Sequence, residues 1–192
     1  MQITFIRHLP TQWNKQNILQ GKRDLPLLPI TEQMEKEIIR NRHRLHSMKS
    51  PDLILTSSLK RTYQTARLYG FEPETDTLLD ELDFGPFEGK KKAALFETFG
   101  DIWLDRPSEL ILGESVRNFE KRIFRFMEKY FSKSHILIFG HGCWIRGCLS
   151  LYYFGTIDKM NRLSVRNNEM IFLFPPNDFH RQKNKWKGLS TG

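Results

Sequence analysis

Gln2–Arg7, QITFIR, runs directly into His8 near the start of the chain. Its β-branched and aromatic residues suit a pleated, buried surface, so the run predicts a strand that stops at the pair Arg7-His8. From His8 to Pro29 the chain carries Pro10, Gly21, Pro26 and Pro29 and reads mainly as loop. Thr31 is then a suitable N-cap, with Glu32 and Glu35 in the first turn and Met34, Ile38, Leu45 and Met48 at helical spacing. That helix is expected to reach about Lys49. Asp52–Thr56 (DLILT), bounded by Pro51 and Ser57, reads as a second, buried strand.

The same alternation continues outward. Leu59–Leu68 reads as a helix, Thr75–Leu79 as a third strand, and Lys90–Gly100 as the site of a short helix. Ser115–Phe131 places Val116, Phe119, Ile123, Phe126 and Met127 at helical spacing. Ile136–Phe139 is an apolar strand, Cys143–Tyr153 a helix, and Met170–Phe174 a strand that closes the sheet. Strands alternating with helices imply an α/β layered fold with a mostly parallel sheet.

The 192 residues favour one domain, expected over residues 1–178, with a basic, loosely ordered tail over 179–192. No apolar run is long enough for a transmembrane helix, and MQITFI is too short for a signal peptide. Cys143 and Cys148 are the only cysteines, which argues against a disulfide framework and makes a reducing cytoplasm the default. The net charge of +8 favours an anionic ligand without naming it. Nucleic acid, anionic membrane and phosphorylated metabolites all fit, as does a plain solvated basic surface.

Ligands of open α/β sheets bind at the carboxyl ends of the strands. Two strand ends here carry histidine: Arg7-His8, and Gly140-His141-Gly142. A third, Thr56-Ser57-Ser58, leads to Arg61, and the end at Leu79 leads to Glu81. In a parallel sheet these groups converge on one edge as a phosphate-handling set. Arginine offers paired donors that match phosphoryl oxygens and keeps its charge. A neutral imidazole can attack phosphorus when its other nitrogen is hydrogen-bonded, and a carboxylic acid can protonate the leaving oxygen. This scheme needs neither metal nor cofactor. Taken singly, each residue also has an ordinary role. Arg61 could be a solvated charge, Glu81 part of an acidic turn with Asp80 and Asp83, and the glycines around His141 a tight turn.

The strings around these residues resemble a known family. Arg7-His8-Leu9-Pro10-Thr11-Gln12-Trp13-Asn14, followed by Gln20-Gly21-Lys22-Arg23-Asp24-Leu25-Pro26-Leu27, is similar to the opening of the histidine phosphatase superfamily, phosphoglycerate-mutase-like branch. Ser57–Ala66, Glu81–Gly89, Gly113-Glu114-Ser115 and Gly140-His141-Gly142 resemble its later motifs, in the same order. The resemblance implies a three-layer α/β/α sandwich. It implies that His8 is the nucleophile that becomes phosphohistidine, that Arg7, Arg61 and His141 surround the phosphoryl group, and that Glu81 is the proton donor. It also implies that Thr11 and Asn14 bind the phosphate, that Gln20 and Gly21 lie beside the substrate, and that Gly142 offers a backbone N–H.

Three positions depart from the pattern: Leu9 stands where the family has Gly, Cys143 where it has a second Gly, and Phe87 where it has Trp. Leu9 and Pro10 predict a different turn after His8. Cys143 reads either as a thiol whose modification impairs activity or as a buried, inert one. Only about two dozen residues separate Gly89 from Gly113, too few for the covering insertion of the family's mutases. The expectation is therefore a phosphate-monoester hydrolase acting on a small phosphorylated metabolite. A mutase-type phosphoryl transferase, or a non-catalytic binder of phosphate or nucleic acid using the cations around Trp186, are the alternatives. Lys22 and Arg23, or Lys90, Lys91 and Lys92 from the opposite rim, could bind a second acidic group or be ordinary surface. His43 and His46 read as surface residues rather than metal ligands. Nucleic acid and membrane are not expected partners, and a homodimer is left open.

Overall fold

A computed structural model describes residues 1–174. The expected boundary at residue 178 and the tail beyond it lie outside the described residues. The first strand, β1, spans Gln2–Arg7. The stretch read as loop contains one short helix, α1 (Gln12–Lys15), nucleated by a capping box in which Thr11 and Asn14 satisfy each other's backbone N–H. Helix α2 (Glu32–His46) begins where expected, with Thr31 Oγ1 accepting from Met34 N at 3.3 Å. Strand β2 (Leu53–Thr56) and helix α3 (Lys60–Leu68) follow.

The third strand is a correction. Strand β3 is only Glu74–Thr75, and residues Thr77–Leu79 form a 3₁₀ turn instead. Asp76 causes the change: its carboxylate accepts from Leu78 N, Lys129 Nζ and Tyr130 OH, each at 2.8 Å, and curls the chain away from the sheet. The short helix expected within Lys90–Gly100 is α4 (Ala93–Phe99); a further helix that the sequence reading did not anticipate, α5 (Asp101–Asp105), follows Gly100, whose φ is +54°. Helix α6 (Val116–Tyr130), capped by Ser115, strand β4 (His135–Gly140), helix α7 (Gly142–Phe154) and strand β5 (Met170–Leu173) complete the described chain.

The strands form one sheet in the order β3-β2-β4-β1-β5, parallel except for β5, which runs antiparallel to β1 at the edge. Alternate residues of each strand face opposite layers. Ile3, Phe5, Ile136 and Ile138 pack with Phe119 and Phe126 of α6 and Trp144 of α7. Ile6, Leu137 and Phe139 pack on the other face with Ile38 of α2, Ala66 of α3 and Tyr69 just beyond it. The result is the layered α/β fold with a mostly parallel sheet that the alternation implied, in the α/β/α sandwich form that the family resemblance implied. Among the described residues no helix is long and apolar enough to cross a membrane.

Phe126 is fully buried, and its ring meets Trp144 edge-on at 5.2 Å, joining α6 to α7 beneath the sheet. Phe126→Ala is expected to lower the free energy of unfolding by about 3–5 kcal/mol. Urea denaturation followed by fluorescence measures it, and a loss below about 1 kcal/mol would contradict this packing.

Candidate active site

The β1–β4 register places Arg7 opposite Gly140. The next residues, His8 and His141, therefore leave the sheet side by side, with ring centroids 5.3 Å apart in an edge-on arrangement. Around them lies a cavity of about 320 Å³. Of the residues singled out from sequence, Arg7, His8, Asn14, Gln20, Gly21, Arg61, Glu81, Lys92, Gly142 and Cys143 line it. His141 is fully buried against His8 rather than in the wall.

His8 Nδ1 lies 2.7 Å from the Leu9 carbonyl. A carbonyl only accepts, so Nδ1 carries the proton and Nε2 keeps its lone pair. Burial, then Arg61 and Arg7, push the His8 pKa well below its ordinary value, so the ring is neutral near pH 7. The turn here needs no glycine. Leu9 is not among the residues with positive φ, its side chain joins the Ile6 and Phe139 cluster, and its N–H donates to Thr65 Oγ1 at 3.0 Å. His141 is neutral for the same reasons, burial first and Arg61 second. Its Nδ1 accepts from Arg61 Nε at 3.2 Å, so Nε2–H donates to Ser57 Oγ at 2.7 Å.

Arg61 is almost fully buried, and burial lowers its pKa to about 10. Besides His141 it holds the Gly21 carbonyl at 2.8 Å and the Arg23 carbonyl at 2.7 Å, so it ties the Gln20–Arg23 loop to the site. Gly21 has φ +50°, and a Cβ there would lie 2.0 Å from Glu88 Oε1. The side chains of Lys22 and Arg23 do not line the cavity: they pair with Asp80 at 3.9 Å and Glu88 at 3.2 Å. Thr11 is buried beside the cavity, its Oγ1 donating to Asn14 Oδ1 at 3.1 Å and Gln20 Oε1 at 2.9 Å, and so it orients two lining amides.

Glu81 is the one carboxylate among the lining residues. It sits at the start of α7, accepting from Cys143 N at 3.0 Å, Trp144 N at 3.1 Å and Leu82 N at 3.0 Å. Those bonds use three of its roughly four acceptor sites. Gly142 is the first residue of α7, and a Cβ there would press on the Arg7 guanidinium at 3.2 Å. Cys143 is buried, its thiol pushed up to about 11 by burial and then by Glu81, which makes it a poor nucleophile.

Sequence reading missed Arg146, and raised Lys92 only as one of three rim lysines. Both line the cavity, and neither has an ion pair among the described residues. Burial, then Arg7, lowers the Lys92 pKa. Arg146 offered one signal: it is the single charge in the apolar helix GCWIRGCLSLYYF. Nε of Arg7 and Nε of Arg146 are both buried without a hydrogen-bond partner among the described residues. A buried, unpaired donor costs about 1–3 kcal/mol, which an anion in the cavity offsets. Among the described residues no group of three or more His, Cys, Asp or Glu is placed to hold a metal ion.

The pattern of the histidine phosphatase superfamily (branch 1) matches residues 3–187. The chain belongs to this superfamily. It is 31% identical over 148 residues to "Putative phosphoserine phosphatase 2" of Hydrogenobacter thermophilus, covering 71% of each protein. It is 33% identical over 107 residues to the 2,3-bisphosphoglycerate-dependent phosphoglycerate mutase of Bifidobacterium longum, 52% of this chain and 42% of that protein. The crystal structure of TTHB049 from Thermus thermophilus superposes with a TM-score of 0.72 at 29% identity, covering 92% of this chain and 95% of that one. Phosphatases and phosphoglycerate mutases thus share the superfamily with this protein.

The two neutral histidines make stability depend on pH. In the unfolded chain they take up protons near pH 6.5, whereas in the fold they do so only at lower pH. The unfolded state therefore binds more protons below pH 6.5, and stability is lost as pH falls. The melting temperature is expected to drop between pH 7 and pH 5, less steeply in His8→Asn, as thermal scans across that range would show. Equal slopes in the two proteins would refute the assignment. Burial likewise raises the Cys148 thiol to about 12, so neither cysteine should react with Ellman's reagent in native protein at pH 8, and both should react in urea.

Proposed function

We propose that this histidine phosphatase superfamily member hydrolyses a phosphate monoester through a phosphohistidine on His8. The observation that carries the reading is the lone pair of His8 Nε2, freed by the Nδ1 bond to Leu9, within a cavity lined by four cations and one carboxylate. Nε2 attacks phosphorus as the bond from phosphorus to the ester oxygen breaks. The leaving oxygen takes its proton from the Glu81 carboxyl. Water then attacks the phosphohistidine, giving its proton to Glu81 and releasing inorganic phosphate and neutral His8. Arg7 and Arg61 stabilise the charge on the transferring oxygens, with His141 holding the Arg61 guanidinium in place from behind, and preorganised donors of this kind usually supply the largest catalytic contribution. The scheme calls on no metal or cofactor. Hydrolysis is favoured over mutase transfer because residues between Gly89 and Gly113 form only two short α-helices, α4 and α5, and one 3₁₀ turn, Pro107–Glu109, too little chain for a long covering insertion.

The substrate class follows from charge. Arg7 and Arg61 suffice for one phosphoryl group, which leaves Lys92 and Arg146 for a second anionic group on a small metabolite. Phosphoserine, the substrate named for the Hydrogenobacter relative, carries one.

Purified protein with chelator present is expected to hydrolyse p-nitrophenyl phosphate between pH 5 and 8 and to form an acid-labile phosphoprotein that His8→Ala abolishes. No turnover of any ester would sink the hydrolase reading, and recovery of an isomeric phosphate ester would favour a mutase. Phosphoserine is expected to be preferred over phosphoethanolamine. Arg146→Met should cut that preference about 10–100-fold, equivalent to about 1.4–2.8 kcal/mol, while changing p-nitrophenyl phosphate turnover little. Equal losses on both substrates would assign Arg146 to the phosphoryl group instead.

A further inference from the structure

One turn, just before β5, supplies four of the hydrogen bonds that hold Arg7 and His8. The Val165 carbonyl accepts from Arg7 Nη1 at 2.6 Å. Asn168 N donates to the Arg7 carbonyl at 3.0 Å, and Arg7 N donates to the Glu169 carbonyl at 3.1 Å. The fourth bond alone uses a side chain of the turn: Asn167 Nδ2 donates to the His8 carbonyl at 2.8 Å.

That carbonyl belongs to the peptide plane between His8 and Leu9. The other end of the plane, Leu9 N, is held by Thr65 Oγ1 at 3.0 Å. Asn167 and Thr65 thus grip one rigid peptide from both sides. The next carbonyl, of Leu9, is the acceptor for His8 Nδ1. Rotation of the gripped plane would carry that carbonyl with it and swing the imidazole, so the grip controls where Nε2 points. Asn167 Nδ2 also lies 3.4 Å from Asn14 Oδ1, which accepts from Thr11 N at 3.0 Å and Thr11 Oγ1 at 3.1 Å. With donors gathered on its oxygen, Asn14 keeps its Nδ2 for the cavity it lines.

The turn itself is anchored from below. Asn168 has φ +61° and is buried, its Oδ1 accepting from Tyr69 OH at 2.6 Å and its carbonyl from Asn41 Nδ2 at 3.0 Å. Burial raises the Tyr69 pKa to about 12, so the phenol remains a donor. Asn tolerates this left-handed backbone better than most residues. Asn167 therefore projects from a base that is itself fixed in two places.

Building on the phosphohistidine reading, we propose that Asn167 is a positioning residue for phosphoryl transfer, acting through the His8–Leu9 peptide and the Asn14 amide. Attack on phosphorus needs near-ideal alignment, and a misplacement of about 1 Å can cost about a hundredfold in rate. Two substitutions test this in the full chain, with p-nitrophenyl phosphate as the probe. Asn167→Ala removes the donor. Asn167→Asp keeps the shape but cannot donate. Both are expected to lower kcat about 10–100-fold, with KM changed less than about threefold and near-UV circular dichroism unchanged. Combined with Asn14→Ala, the loss should be smaller than the product of the single losses, since the two residues act together. The proposal is overturned if either variant keeps kcat within twofold, if KM alone changes, if the losses multiply, or if lost activity tracks lost folded protein. Wild-type protein without turnover would instead sink the hydrolase reading, and this inference with it.

Discussion

In the parallel ladder between β1 and β4, Arg7 lies opposite Gly140. A slip of one residue would turn every side chain of β1 to the other layer, placing Phe5 where Ile6 packs. The two hydrophobic clusters on the sheet's faces forbid it. Because the register is locked by packing, His8 and His141 must emerge together, and the first turn of α7 must begin beside them. The site is therefore a consequence of core complementarity as much as of its own polar contacts.

Once the histidines are adjacent, electrostatics decides their state. Two guanidinium groups and burial keep both rings neutral, and neutrality is what leaves a nucleophilic lone pair on His8. The same crowding would be unfavourable without an anion to share it, since Arg7, Arg61, Lys92 and Arg146 face one lining carboxylate. Glu81 is kept in place by the backbone N–H groups at the start of α7 rather than by an arginine.

Much of this was legible because it is local. The strand QITFIR, the cap at Thr31 and the amphipathic Ser115–Phe131 helix are written in spacing and residue type. The stretch around Thr11 was read as loop because of its prolines, and the helix that Thr11 caps there is only four residues long. The third strand was misjudged because Asp76 draws on Lys129 and Tyr130, more than fifty residues away. Lys22 and Arg23 look like substrate ligands in sequence, yet Asp80 and Glu88, distant in the chain, turn them outward.

By itself the sequence determined the α/β class, the strand ends at Arg7-His8 and Gly140-His141, and the set of groups suited to phosphate. These depend on periodicity and on chemistry carried by single residues. Only the tertiary structure decided which cations face the cavity, how the backbone around His8 is held so that one ring nitrogen stays free, and that Asn167 holds the His8–Leu9 peptide. The bonds that fix these outcomes join residues 38 to 159 positions apart, where geometry, not neighbourhood in the chain, selects the partner.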